Sequence, residues 1–167
     1  KQSIVQEVYA GYISRRFEPA YIAINAMKNM VLDMYPEKNE DASLVNQMVE
    51  KGKRLYVLNR LLPAKDEYML IGYTKEQLAA CYKNEARIWN LFTQNELLQT
   101  IDNNVIKNYI GEGPKTQELG EDSPGNIGSF LGWQIVKKYM SKNKDLKLQQ
   151  LMNTPAETIF TEAKYKP

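Results

Sequence analysis

The sequence predicts an all-α fold: one compact multi-helix domain spanning residues 1–167, with a long irregular loop near residues 111–126. Three observations predict it. Apolar residues recur at steps of three and four through most of the chain, which lays stripes along helices. Serine, threonine and aspartate stand where several such stretches begin, as helix caps do. Glycine and proline concentrate in one segment, 111–126, and leave the periodic stretches largely uninterrupted.

The elements follow in order. Tyr21, Ile24, Met27, Met30, Val31 and Met34 form a stripe over 21–35, and Pro36 ends that helix by pushing the residue before it out of the helical region. Glu37 to Asp41 reads as a solvated loop, with Asp41 or Ser43 capping the next helix. That helix holds Leu44, Val45, Met48, Val49, Leu55, Tyr56, Leu58, Leu61 and Leu62 on one face up to Pro63. Lys51, Lys53, Arg54 and Arg60 then belong to a solvated basic face. Thr74 and Gln77 have the capping-box form, so a helix starts at Lys75 and runs towards Leu98, with a break near Gln94 and Asn95.

After the loop, Asp122-Ser123-Pro124 supplies a cap and a proline suited to a first helical turn. The most apolar helix follows, with Ile127, Phe130, Leu131, Trp133, Ile135, Val136, Tyr139 and Met140 covering much of its circumference. This pattern places it centrally, packed on several sides. Gly128 and Gly132, one turn apart, let a neighbouring helix approach closely. Thr154 to Glu157 repeats the capping-box form and starts a short terminal helix.

Composition excludes several functions. Apolar residues make up 43% and charged residues 25%, a globular mixture, and the net charge of +2 is spread along the chain, which does not suit a phosphate backbone. Histidine is absent and Cys81 is the sole cysteine. Histidine-dependent triads, Cys-His dyads and the usual catalytic zinc sites are thereby excluded. No catalytic residue, metal ligand set or cofactor is expected. Cys81, in an apolar helical stretch, reads as a small buried hydrophobe. No run of about 20 apolar residues spans a bilayer.

The segment Ser123-Pro124-Gly125-Asn126-Ile127-Gly128-Ser129-Phe130-Leu131-Gly132-Trp133-Gln134-Ile135-Val136-Lys137-Lys138-Tyr139-Met140 closely resembles the C-terminal signature of GldB-type gliding-motility lipoproteins. Further stretches agree in order: Tyr12 to Pro19, Gly52 to Tyr56, Ile71 to Thr74, Asn84 to Trp89 and Lys164 to Pro167. The resemblance implies an exported protein of the bacterial envelope, periplasmic or at the outer membrane, in bacteria of the Bacteroides and Flavobacterium kind. It would meet the membrane only through lipid on an upstream cysteine, with signal and anchor preceding Lys1. It brings no enzymatic reaction with it. The chain's end also resembles certain zinc peptidases, in which a Gly-x-x-x-Gly helix follows a His-Glu-x-x-His helix and a later Glu-Gly. Asn25 to Asn29 would then occupy the zinc helix, and Lys51-Gly52 the Glu-Gly. Two amides and an ammonium cannot replace two imidazoles and a carboxylate at a divalent cation. That likeness implies a non-catalytic descendant.

The candidate binding groove lies between the helix of Glu85 and Trp89 and the 111–126 loop before the Trp133 helix, with Glu121, Asp122, Trp133 and Gln134 as further members. For Trp89 itself, a place in the core is the stronger reading. Arg15 and Arg16 are candidate anion contacts through their planar donor forks, or partners of Glu7 and Glu18. Glu118, Glu121 and Asp122 gather in the loop, though capping explains Asp122 more simply. Two functions follow. The first is a non-enzymatic envelope domain that binds a protein or glycan partner, not nucleic acid. The alternative is a glycan hydrolase using Glu85, Glu121 or Asp122, whose carboxyl groups would need to lie about 5–9.5 Å apart.

Overall fold

The computed structural model describes residues 17–37, 42–120 and 123–167. Arg15, Arg16, Glu121 and Asp122, with the candidate cap Asp41, lie outside the described residues. The fold is all-α: among the described residues there are nine α-helices and no strand. They are α1 (Ile22–Met34), α2 (Leu44–Leu61), α3 (Glu67–Ile71), α4 (Lys75–Lys83), α5 (Glu85–Gln94), α6 (Asn103–Ile110), α7 (Ile127–Lys142), α8 (Leu148–Asn153) and α9 (Ala156–Ala163).

Helix α7 is the axis of the molecule. Ten consecutive residues, Ile127 to Val136, are buried, which requires neighbours all round and explains the apolar circumference of this helix. Helices α2, α9, α6 and α5 supply them, and the α2–α7 contact is the most extensive in the structure. Glycine sets its closeness. A Cβ on Gly132 would sit 1.8 Å from the Met48 carbonyl oxygen, and one on Gly52 would sit 2.2 Å from the Gly132 carbonyl oxygen. Only glycine permits two helix backbones to touch in this way.

The Thr74–Gln77 capping box is present, with Gln77 N–H donating to Thr74 Oγ1 and Thr74 N–H to Gln77 Oε1. The helix it starts breaks earlier than expected, at Asn84. There the Asn84 side chain donates to the Ala80 carbonyl at 2.8 Å and competes with the helical ladder. Asn95 marks the second break.

Other caps differ from expectation. Ser43 occupies the N-cap position of α2 by its backbone, but its buried hydroxyl has no partner. Helix α7 begins after Asn126, in the left-handed conformation with φ 57°, and not at Pro124. Ser123 ties the loop instead: its hydroxyl reaches the carbonyls of Thr116 at 2.7 Å and Gly120 at 2.8 Å. Thr116 in turn donates to the Pro124 carbonyl at 2.9 Å. At the last helix Pro155 is the N-cap, because Thr154 already serves the end of α8, donating its hydroxyl to the Gln150 carbonyl.

Helix α1 rests on α2 through Ile24 and Val31, with Val31 meeting Val57 of α2 and Met152 of α8. Its outer side is apolar as well: Ile22, Met30 and Met34 are exposed. Only part of the expected stripe is therefore core.

Candidate functional site

The basic run on α2 is where sequence and structure part most clearly. Lys53 is buried at 2% exposure, where the charge pattern predicts a solvated face. Its ammonium donates to the Met152 carbonyl at 3.0 Å, the Thr154 carbonyl at 3.0 Å and Glu50 Oε1 at 2.7 Å. Those carbonyls close the C-terminal end of α8, where helix geometry leaves acceptors without partners and a cation is favoured.

Arg54 and Lys51 turn the other way, towards a cleft of about 310 Å³ between α1, α2, Glu112 of the loop and the start of α7. Val31, Leu32, Leu55, Leu58 and Ile71 make its apolar lining, and Lys28, Lys51, Arg54, Glu37, Glu112, Asn126 and Ser129 its polar one. The Arg54 guanidinium clamps two elements, donating from Nη1 to the Glu50 carbonyl and from Nη2 to the Tyr35 carbonyl, each at 3.0 Å. Its Nε–H is buried without a hydrogen-bond partner. Lys51 approaches Glu37 at 3.7 Å. Ser129 donates to the Asn126 carboxamide oxygen at 2.6 Å and fixes the left-handed turn at this rim.

This cleft was not found from sequence. Its signal was the alternation within Glu50-Lys51-Gly52-Lys53-Arg54, in which one carboxylate serves Lys53 three positions on and lies 3.9 Å from Arg54 four positions on. The peptidase likeness pointed at the same two helices. Lys51 does line the cleft, but α1 contributes Lys28, Val31 and Leu32 to it, and Asn29 is exposed. This donor set, rich in ammonium and guanidinium, does not fit a divalent cation. Among the described residues no group of three His, Cys, Asp or Glu side chains is placed to hold one.

The residues expected to form a groove sit otherwise. A cavity of about 110 Å³ does lie between the start of α5 and the end of the loop, but Asn84, Arg87, Ile88, Leu119, Ser123 and Pro124 line it. Glu85 and Trp89 occupy a different helical face. Tyr165 covers both: its ring meets Trp89 edge-on at 5.0 Å, and its hydroxyl donates to Glu85 Oε1 at 2.5 Å. Burial and then this carboxylate push the Tyr165 phenol well above its ordinary pKa.

Trp133 is fully buried and Gln134 is 8% exposed, so neither presents a surface to a ligand. Above Trp133 lies an ionic cluster. Lys137 sits 4.2 Å from the indole ring centre and donates to Glu67 at 2.6 Å and to the Tyr82 hydroxyl oxygen at 2.9 Å. Tyr82 donates to the other Glu67 oxygen at 2.6 Å. Burial raises the Glu67 carboxyl, but the hydrogen bonds from Lys137 and Tyr82 outweigh it and hold the group below its ordinary value. Of the loop carboxylates, Glu118 accepts from Tyr109 at 2.8 Å. Cys81 is buried, and burial pushes its thiol up to about 12.

A family model described as gliding motility protein GldB matches residues 1–167. No curated protein and no solved structure matches the chain.

Proposed function

Because the chain belongs to the GldB family of gliding-motility proteins, we propose that it is the partner-holding domain of a cell-envelope lipoprotein, one that binds a protein and breaks no bond. The family is one of gliding-motility lipoproteins, and among the described residues no helix is long and apolar enough to cross a membrane. In this reading an upstream lipid holds the domain at the periplasmic or outer-membrane surface.

The observation that carries the reading is the cleft between α1 and α2. Among the described residues it joins five aliphatic side chains to three cations and includes no aromatic side chain in its lining. Sugar faces are held by flat aromatic rings with a polar edge. An aliphatic pocket with charged groups at its rim suits a polypeptide better. The chemistry available elsewhere agrees with holding rather than cutting. The chain has no imidazole, its one thiol is raised out of the reactive range, and Glu85 and Glu118 are each engaged by a tyrosine hydroxyl.

The test is photo-cross-linking in host cells, with a photoreactive side chain replacing Leu32 in the cleft or, as control, the exposed Lys144. One envelope protein captured at Leu32 and absent at Lys144 is the expected result. Capture of glycan alone, or chelator-sensitive peptide hydrolysis by the purified chain, overturns the reading.

A further inference from the structure

On the flank of α1 away from the partner cleft, we propose a binding site for one Cu(I) ion, held by the thioethers of Met27, Met30 and Met34. Placement comes first. At 3.6 residues per turn, Met30 and Met34 stand about 40° apart round the helix, and Met27 falls about 20° from Met34, so the three share one sector of α1. Met27 and Met34 are about 10.5 Å apart along the axis, with Met30 between them. A methionine side chain has three rotatable bonds and spans about half of that, which puts one ion beside Met30 within reach of all three sulfurs.

Exposure separates these methionines from the core. A stripe at this spacing ordinarily faces inward, yet Met30 is 55% and Met34 63% exposed. Met27 is half-buried and packs against the cluster of Val31, Val57 and Met152. Met152, on α8, thereby brings a further thioether to the inner edge of the same site. Charge favours a cation here. The last turn of α1 contains no basic residue and carries the exposed Asp33, and the C-terminal end of a helix attracts positive charge. Lys28 and Arg54 belong to the side of α1 that lines the cleft, and Arg54 takes the Tyr35 carbonyl just past the helix end. Thioether chemistry then names the ion. The sulfur is neutral and soft, which selects Cu(I), whereas hard cations demand oxygen ligands and zinc demands imidazole, thiolate or carboxylate. The chain has no imidazole, and its one thiol is buried on α4.

The experiment titrates the purified chain with Cu(I) alone, anaerobically and against a chromophoric Cu(I) chelator, and records X-ray absorption of the loaded protein at the copper edge. One Cu(I) per chain, with sulfur as its only near neighbour, is the expected result. Met30→Leu and Met34→Leu keep the volume of the side chain and remove the sulfur; each should weaken binding at least tenfold, with unchanged thermal melting of the metal-free protein showing that the fold is intact. Met140→Leu, in the core part of α7, and Cys81→Ala should leave the affinity as it is. Failure to draw Cu(I) from the chelator, nitrogen or oxygen neighbours at the metal, binding lost with Cys81 instead, or parent-like affinity in the Met30→Leu and Met34→Leu variants each overturns the proposal. The partner-holding reading of the cleft is untouched by any of these outcomes.

Discussion

Gly132 and Met48 meet backbone against backbone: a methyl group on Gly132 would lie 1.8 Å from the Met48 carbonyl oxygen and 2.4 Å from its carbonyl carbon. No rotamer change relieves such a contact, because the obstructing atoms belong to a helix backbone. The central pair of helices is thus spaced by the absence of one side chain, with Gly52 making the reciprocal approach.

Gly132→Ala should destabilise by about 3 kcal/mol or more, at or beyond the usual range for overpacking, since α2 and α7 must separate along their length. Gly113→Ala is the control, because among the described residues a Cβ there meets only the Lys115 carbonyl oxygen, at 3.9 Å. Urea unfolding followed by circular dichroism checks both. Near-equal midpoints would show that the two helices are not locked at this contact.

Lys53→Ala should cost about 3–5 kcal/mol, the range for removing one partner of a buried ionic contact. The Met152 and Thr154 carbonyls and Glu50 lose a shared donor at once. Arg60, two turns further along the same helix, is exposed, and Arg60→Ala should change stability by less than about 0.5 kcal/mol. Equal midpoints for the two variants in the same unfolding assay would contradict the assigned geometry.

Trp133→Ala should cost about 3–5 kcal/mol, as for other large core aromatics cut back to a methyl group. Trp133→Phe should cost less than half of that. The buried indole N–H has no partner, so its removal gives up no hydrogen bond and relieves a desolvated donor. Thermal melting of the two variants side by side provides the measurement, and a Trp133→Phe variant as weak as Trp133→Ala would refute the burial argument.

Acid should weaken the fold through Glu67. Its folded value lies below the ordinary 4.5, so the unfolded chain takes up the proton first. The stabilisation is complete above 4.5 and fades as the pH falls through the lower folded value. Glu67→Gln should therefore be less stable than the parent at neutral pH, and the gap should narrow on acidification. A gap that is constant or widens towards low pH would contradict the sign.

Helix content was legible in the sequence because it is encoded locally. The Thr74–Gln77 box, the apolar circumference of α7 and the Gly128–Gly132 spacing each follow from residues within a few turns of one another. Breaks and caps were less legible where two local options compete. Asn84 satisfies Ala80 and divides a stretch that periodicity alone would continue, and Thr154 is claimed by α8 before it can cap α9. Helix α6 had a readable signal, with Asp102 accepting from Asn104 N–H and Val105, Ile106, Tyr109 and Ile110 at helical spacing.

The sequence by itself determined that this chain is helical, that α7 lies at its centre, and that imidazole chemistry is closed to it. Tertiary structure alone decided which charges are surface and which are structure. Lys51, Lys53 and Arg54 are nearly adjacent in the chain, yet one rims a cleft, one is buried against the end of α8, and one clamps α1 to α2. A cation's role depends on which carbonyls and carboxylates other elements bring within about 3 Å, and periodicity within a single helix carries no information about them.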